Sequence, residues 1–320
     1  DGSCDRGSRA LVPAELEPQE DPFMIRSTRL LGQPLAVALL AGACGGDDPI
    51  DVTGDDEMTV DSVQPERIVS INPTGTEMLY AVGAGDLVVA VDEFSYYPEG
   101  TPVTDLSGWD PNVEAILSYE PDLVVMDWND DVRTGLEAAG VKVLVITAPS
   151  AFDEIYTQIE MIGDATGFDA EALAVIDDMR AAVEGLIADA PDGSTLTYYH
   201  ELDNTLYSVT SSTFIGAVYS LFGLTNVADS ADADGATFGY PQLSDEYLLD
   251  ADPDLIFLAD TLCCAQSAET VAARPGWDQL RAVRDGNVVE LDDDIVSRWG
   301  PRLVDFVEAI ATAIESVDAA

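Results

Sequence analysis

Hydrophobic and polar positions follow two rhythms along the chain from Glu66 onward. Short runs of Val, Ile and Leu at Arg67–Ile71, Leu87–Val91, Leu123–Trp128 and Val141–Thr147 predict buried strands. Between them, apolar residues recur at helical spacing over Thr76–Val82, Val113–Tyr119 and Arg133–Ala139, and Gly83 and Gly140 mark helix ends. A longer helical stretch follows. Leu173, Ile176, Met179, Val183, Leu186 and Ile187 share one face of a helix predicted over Asp169–Ala190, closed by Pro191-Asp192-Gly193. At about 1.5 Å per residue that helix is over ~30 Å long, enough to cross between two lobes. The first rhythm then resumes, with strands at Leu196–Tyr199, Leu206–Val209, Leu255–Ala259 and Val288–Leu291 and a terminal helix over Leu303–Val317. Such alternation predicts an α/β fold with mainly parallel sheets: two Rossmann-like α/β lobes joined by one long bridging helix, with a ligand cleft between the lobes.

The two halves resemble each other. Glu114 stands seven residues before Pro121-Asp122-Leu123-Val124-Val125-Met126, and Glu246 stands seven before Pro253-Asp254-Leu255-Ile256-Phe257-Leu258. Shared turn chemistry could give one such match, but equal spacing with the same apolar run favours a duplicated lobe. The expected boundaries are 65–164 for the first lobe, 165–191 for the bridge and 192–320 for the second lobe.

Upstream of Glu66 the pattern is different. Met24 opens a stretch with Arg26 and Arg29, an apolar run from Leu30 to Leu40, and then Ala41-Gly42-Ala43-Cys44. A basic start, an apolar segment too short to span a bilayer and small residues before a cleavage point make residues 24–43 a secretory signal. The Cys after the small residues reads as a lipobox, with Cys44 as the lipid attachment site, although Ala41 sits where Leu is usual. The other reading is an ordinary cleaved signal with an incidental Cys. Residues 1–23 are expected to lie outside the mature protein, and 44–64, rich in Gly and Asp, to be an acidic tether. The expected location is extracytoplasmic, lipid-anchored to the cell membrane.

The formal charge is −48, and Lys142 is the only lysine. Nucleic acid and anionic membrane surfaces both require a basic face, so neither is an expected partner; the membrane contact is expected through the lipid alone. Of four cysteines, Cys4 lies upstream of the signal and Cys44 is assigned to lipid, leaving the neighbours Cys263 and Cys264 either as a vicinal disulfide or as free thiols. His200 is the only histidine, so a bare-metal site lacks its usual ligands, and a strand histidine satisfied by its neighbours is a better reading of it than a triad member or lone general base. Lys142 follows Val141 rather than Gly, which excludes a Walker A loop. No catalytic residue, resident cofactor or metal is expected.

Aromatic residues carry the positive signal. Tyr97-Pro98, Gly108-Trp109, Trp128-Asn129, Tyr207, Gly239-Tyr240-Pro241 and Arg298-Trp299-Gly300-Pro301 fall in or beside predicted turns on both halves. Placed there, Tyr97, Trp109, Trp128, Tyr207, Tyr240 and Trp299 would wall a bulky, partly apolar ligand, with Arg298 for polar contact.

These motifs together resemble the periplasmic binding proteins that serve ABC importers of vitamin B12, ferric siderophores and haem. The resemblance runs from about Glu66 to Ala319 and includes Arg67-Ile68-Val69-Ser70 with Pro73, Thr76-Glu77 and Gly83. Tyr97-Pro98, Gly108-Trp109, Trp128, Tyr240-Pro241-Gln242 and Arg298 before Pro301-Arg302 look most like the vitamin B12 branch. Tyr240 stands where that branch carries a Trp, and Cys263, Cys264 and Trp299 have no counterpart. The resemblance implies a monomeric solute-binding lipoprotein that delivers an organic metal complex to an ABC permease. Cobalamin ranks first as ligand, a ferric siderophore second and haem third. It also implies that Glu114 and Glu246 dock the permease through its arginines. Independently, an acid at a helix start is favoured by the dipole alone. The rival readings are a secreted hydrolase on a two-lobe scaffold using His200, and a lipoprotein that senses a ligand without transporting it.

Overall fold

The computed structural model describes residues 64–318; the signal, the lipobox at Cys44 and nearly all of the tether lie outside the described residues. The first lobe comprises β1 (Ile68–Ser70), α1 (Pro73–Ala81), β2 (Val88–Asp92), β3 (Val103–Leu106), α2 (Val113–Leu117), β4 (Leu123–Met126), α3 (Asp130–Ala138), β5 (Lys142–Val145) and α4 (Glu154–Thr166). Its five strands are all parallel in the order β3-β2-β1-β4-β5. Helix α5 (Asp169–Asp189) leads into the second lobe: β6 (Thr197–Glu201), α6 (Phe214–Ser220), β7 (Thr225–Asn226), α7 (Asp245–Ala251), β8 (Leu255–Leu258), α8 (Thr261–Cys264), α9 (Ala268–Ala272), α10 (Arg281–Asp285), β9 (Val288–Glu290), α11 (Asp293–Ser297) and α12 (Leu303–Asp318). The second sheet is also parallel, in the order β7-β6-β8-β9.

Strands buried on both faces explain the continuous apolar runs. β4 and β8 are buried at every position, as expected of parallel strands covered by helices. α5 packs against α4 of the first lobe and α12 of the second, so the long helix does bridge the lobes. One hydrophobic core runs through both, from Ile68 and Met78 through Ile176 and Met179 to Tyr219, Phe257 and Phe306.

The duplication is visible in backbone detail. Glu120 and Asp252, each just before a Pro-Asp pair, both adopt left-handed conformations (φ 52° and 43°) that end the preceding turn. Asp122 then accepts hydrogen bonds from the amides of Glu66 and Arg67 ahead of β1. Asp254 accepts from the amide and hydroxyl of Thr197 at the start of β6. In each lobe the aspartate therefore fixes where the neighbouring strand begins.

Several expectations differ from the structure. Leu206–Val209 is not a ladder strand, because Leu206 takes a left-handed backbone (φ 68°) and only an isolated bridge joins Tyr207 to Gln242. The strand beside β6 is instead the two-residue β7, and α4 and β3 formed where no element was expected.

Candidate functional site

In parallel sheets, ligand sites form at the carboxyl ends of the strands. Here the carboxyl-end loops of the two sheets meet. The loop after β2 and helix α1 of the first lobe touch the segment Asp292–Arg302 that follows β9 in the second. The Tyr96 hydroxyl donates to Asp294, and Arg298 donates to the Phe94 carbonyl at 3.0 Å. At the centre of the contact is Glu77, buried in α1. Arg298 Nη1 donates to its Oε1 at 2.9 Å, Arg302 Nε to its Oε2 at 2.9 Å and Arg302 Nη2 to its Oε1 at 2.5 Å. Arg298 also reaches Asp294 at 2.8 Å, and the Trp299 indole donates to Gln158 of α4 at 2.7 Å.

The expected site residues separate into two groups around this junction. Trp109 follows β3 and is 72% exposed, and Trp128 follows β4 and is 63% exposed. Local structure sets both. Ser107 accepts from the amides of Trp109 and Asp110, and a side chain at Gly108 would press within 2.6 Å of Asp92 and the Ile71 carbonyl, so only glycine lets the chain pass. Asn129 caps α3 directly after Trp128, and Arg133 from that helix lies over the indole with 5.7 Å to its centroid. Tyr97 is partly exposed, with Arg302 3.9 Å above its ring. On the second lobe, Tyr207 and Tyr240 stand in the irregular pairing beyond β6. Asp232 accepts from the amides of Thr237 and Gly239 and so holds the turn that presents Tyr240. These five aromatics are on carboxyl-end loops and open to solvent to differing degrees.

Arg298 and Trp299 do other work. Arg298 is 7% exposed, and its guanidinium is spent on Glu77, Asp294 and the Phe94 carbonyl rather than offered to a ligand. Trp299 packs edge-on against Phe214 and the shared core. Both close the lobes on each other. Sequence reasoning missed their partner Glu77, because 221 positions separate it from Arg298 and no local pattern links the two.

The electrostatics of these loops are one-sided. Asp110, Asp127, Asp203 and Asp292 are there, while the basic groups are committed. Arg274 binds Glu201, Arg298 and Arg302 bind Glu77, and Arg133 lies between Asp130 and Glu137. Arg67, Lys142 and Arg281 are at the opposite, amino ends of the strands. Among the described residues, Arg133 over Trp128 is held only by exposed ion pairs at 3.7 and 3.9 Å while Arg274, Arg298 and Arg302 are hydrogen-bonded to buried carboxylates, and no cluster of three His, Cys, Asp or Glu could hold a metal ion.

Behind the rim, His200 lies fully buried in β6, with Nδ1 2.8 Å from the Tyr219 hydroxyl, and burial alone pushes its pKa down to about 3. It remains neutral and out of reach of the loops. Beside it, at the end of β8, burial and the neighbouring Glu201 push the Asp260 carboxyl up to about 8. Cys263 and Cys264 form a disulfide in α8.

Glu114 and Glu246 occupy the same position on each lobe, second in helices capped by Asn112 and Ser244, and both are exposed.

A profile of the periplasmic binding protein family matches residues 68–295. The chain belongs to this family. It is 32% identical to the Bacillus subtilis ABC transporter substrate-binding lipoprotein YvrC, over 83% of this chain and 84% of that one. It is 34% identical to a cobalamin-binding protein of Halobacterium salinarum, over 81% and 72%. Among solved structures, the vitamin B12 binding protein BtuF of Vibrio cholerae superposes with a TM-score of 0.65 at 26% identity, covering 80% of this chain and 99% of that one. Family membership makes this an extracytoplasmic binding protein, consistent with two parallel-sheet lobes whose carboxyl-end loops face one another.

Proposed function

We propose that this protein captures a cobalamin outside the cell and hands it to the permease of an ABC importer, held at the membrane by lipid on Cys44. The observation that carries the choice of ligand is an aromatic rim richer in carboxylates than in cations, with Arg133 as its one weakly held guanidinium. Tyr97, Trp109, Trp128, Tyr207 and Tyr240 offer broad apolar faces to a large ring system. Haem brings two carboxylates, and many ferric siderophores carry net negative charge. Sequestering either beside Asp110, Asp127 and Asp292, with Arg133 over Trp128 as the one weakly held guanidinium at the rim, would leave negative charge in excess, at a cost of several kcal/mol. Cyanocobalamin has no net charge and many amides, which suits hydroxyls and carboxylates as partners. The relatives named for cobalamin and vitamin B12 agree with that choice.

Delivery rests on Glu114 and Glu246. Their matched places give the two lobes one carboxylate each, in the geometry that guanidinium groups on a partner recognise well. The test of the ligand is a tryptophan-fluorescence titration of the purified protein with cyanocobalamin, haem and a ferric siderophore. Saturable quenching is expected with cyanocobalamin alone; saturation by haem or the ferric siderophore instead would overturn the assignment.

A further inference from the structure

Helix α8 is too short to hold itself. Its four residues form one turn, with the Cys264 amide on the Asp260 carbonyl at 3.3 Å, and isolated turns of this length are unstable in water. Two devices hold it. One is the ring closed by Cys263 and Cys264, which restricts the backbone of both residues. The other is Asp293, whose carboxylate accepts from the amides of Thr261 at 2.8 Å, Leu262 at 3.1 Å and Cys263 at 2.8 Å. The turn follows β8 at the carboxyl edge of the second sheet, with Cys263 exposed and Leu262 64% exposed beside it. It therefore stands on the carboxyl-end side of the second sheet, as do Tyr207 and Tyr240 beyond the neighbouring strand β6. Asp293 is also one residue from Asp294, which bonds Tyr96 and Arg298 across the lobe junction.

We propose that the Cys263–Cys264 disulfide is a redox-addressable site on the ligand-facing wall, whose reduction loosens the turn 261–264 and the lobe contact at 292–298. A dithiol donor supplies two electrons and two protons. The S–S bond breaks, each cysteine gains a hydrogen, and the donor leaves as its own disulfide. With the ring open, the turn is held only by hydrogen bonds, chiefly the amides and Thr261 hydroxyl on Asp293, the Thr261 hydroxyl on the Leu291 carbonyl and two amides on the Asp260 carbonyl, and Asp293 shares its mobility with Asp294. The oxidised form is the binding form.

This inference rests on the cobalamin reading only for its last readout. Full-length protein is treated with dithiothreitol without denaturant, alongside Cys263→Ser/Cys264→Ser. Reduced wild type is expected to show two more titratable thiols than the reduced variant, with faster amide exchange at 261–264 and 292–298, reversed on reoxidation. A pair that resists reduction until the protein unfolds, or exchange that stays unchanged after reduction, would overturn the proposal. Cyanocobalamin affinity is then expected to fall at least tenfold on reduction, and equal affinity in both redox states would also overturn it. If the oxidised protein binds no cobalamin at all, the functional reading fails, while thiol titre and exchange still decide this one.

Discussion

Replacing Glu77 should separate the lobe junction from the rest of the fold. Its carboxylate is buried and accepts three hydrogen bonds from Arg298 and Arg302, whose side chains are 8% and 17% exposed. Glu77→Ala removes the acceptor and leaves two guanidinium groups enclosed without it. Breaking a buried pair from one side costs about 3–5 kcal/mol. For a domain of this size that corresponds to a melting point lower by roughly 6–20 °C. Glu77→Gln keeps the shape and some hydrogen bonding but not the charge, and neutral bonds have about half the strength of charge-assisted ones, so a loss of about 2 kcal/mol is expected. Arg133→Ala is the control: its partners Asp130 and Glu137 are exposed and 3.7–3.9 Å away, and a change under about 1 kcal/mol is expected. Urea unfolding with a shared slope reads all three. If Glu77→Ala falls within 1 kcal/mol of wild type, the junction contributes far less than its geometry implies.

Other outcomes follow from the same structure. Glu114→Ala combined with Glu246→Ala should abolish uptake by cells while leaving ligand affinity unchanged and stability within about 1 kcal/mol, because each acid contributes only a helix-start interaction to the fold; an equal fall in affinity would assign both residues to the ligand instead. Stability should decline between pH 6.5 and 8. Folded Asp260 keeps its proton to about 8, against 3.8 for an ordinary aspartate, so the folded state binds more protons across that window and loses stability as pH rises. His200 opposes this only in acid: burial holds it neutral down to about 3, so its contribution is lost as pH falls below 6.5. Asp260→Asn should flatten the decline in melts across that range, and an unchanged slope would count against a protonated Asp260.

Much of the architecture was legible because periodicity reports burial. The runs at Leu123 and Leu255 are strands buried on both faces, and the repeated Pro-Asp turns gave away the duplicated lobe. β3 escaped notice because it is a sheet edge, with Val103 and Asp105 exposed and no continuous apolar run. The false strand at Leu206–Val209 has strand-like residues, but a single left-handed residue diverts it, and composition does not encode that. For the site, aromatics beside turn residues were visible in sequence. The fate of Arg298 was not, since its partner Glu77 is 221 positions away. An arginine near aromatics looks the same whether it faces a ligand or closes an ion pair. Only the fold, by bringing α1 against the segment after β9, distinguishes them.

The central claim, an aromatic cleft for an uncharged corrinoid, is tested most directly by calorimetric titration of cyanocobalamin into wild type and Trp109→Ala/Trp128→Ala. Wild type should bind one equivalent. Two exposed indoles that become buried against the ligand are hot-spot contacts of about 2 kcal/mol each, so the double variant should bind at least a hundredfold more weakly with an unchanged melting point. Equal affinity in the two proteins would contradict the account.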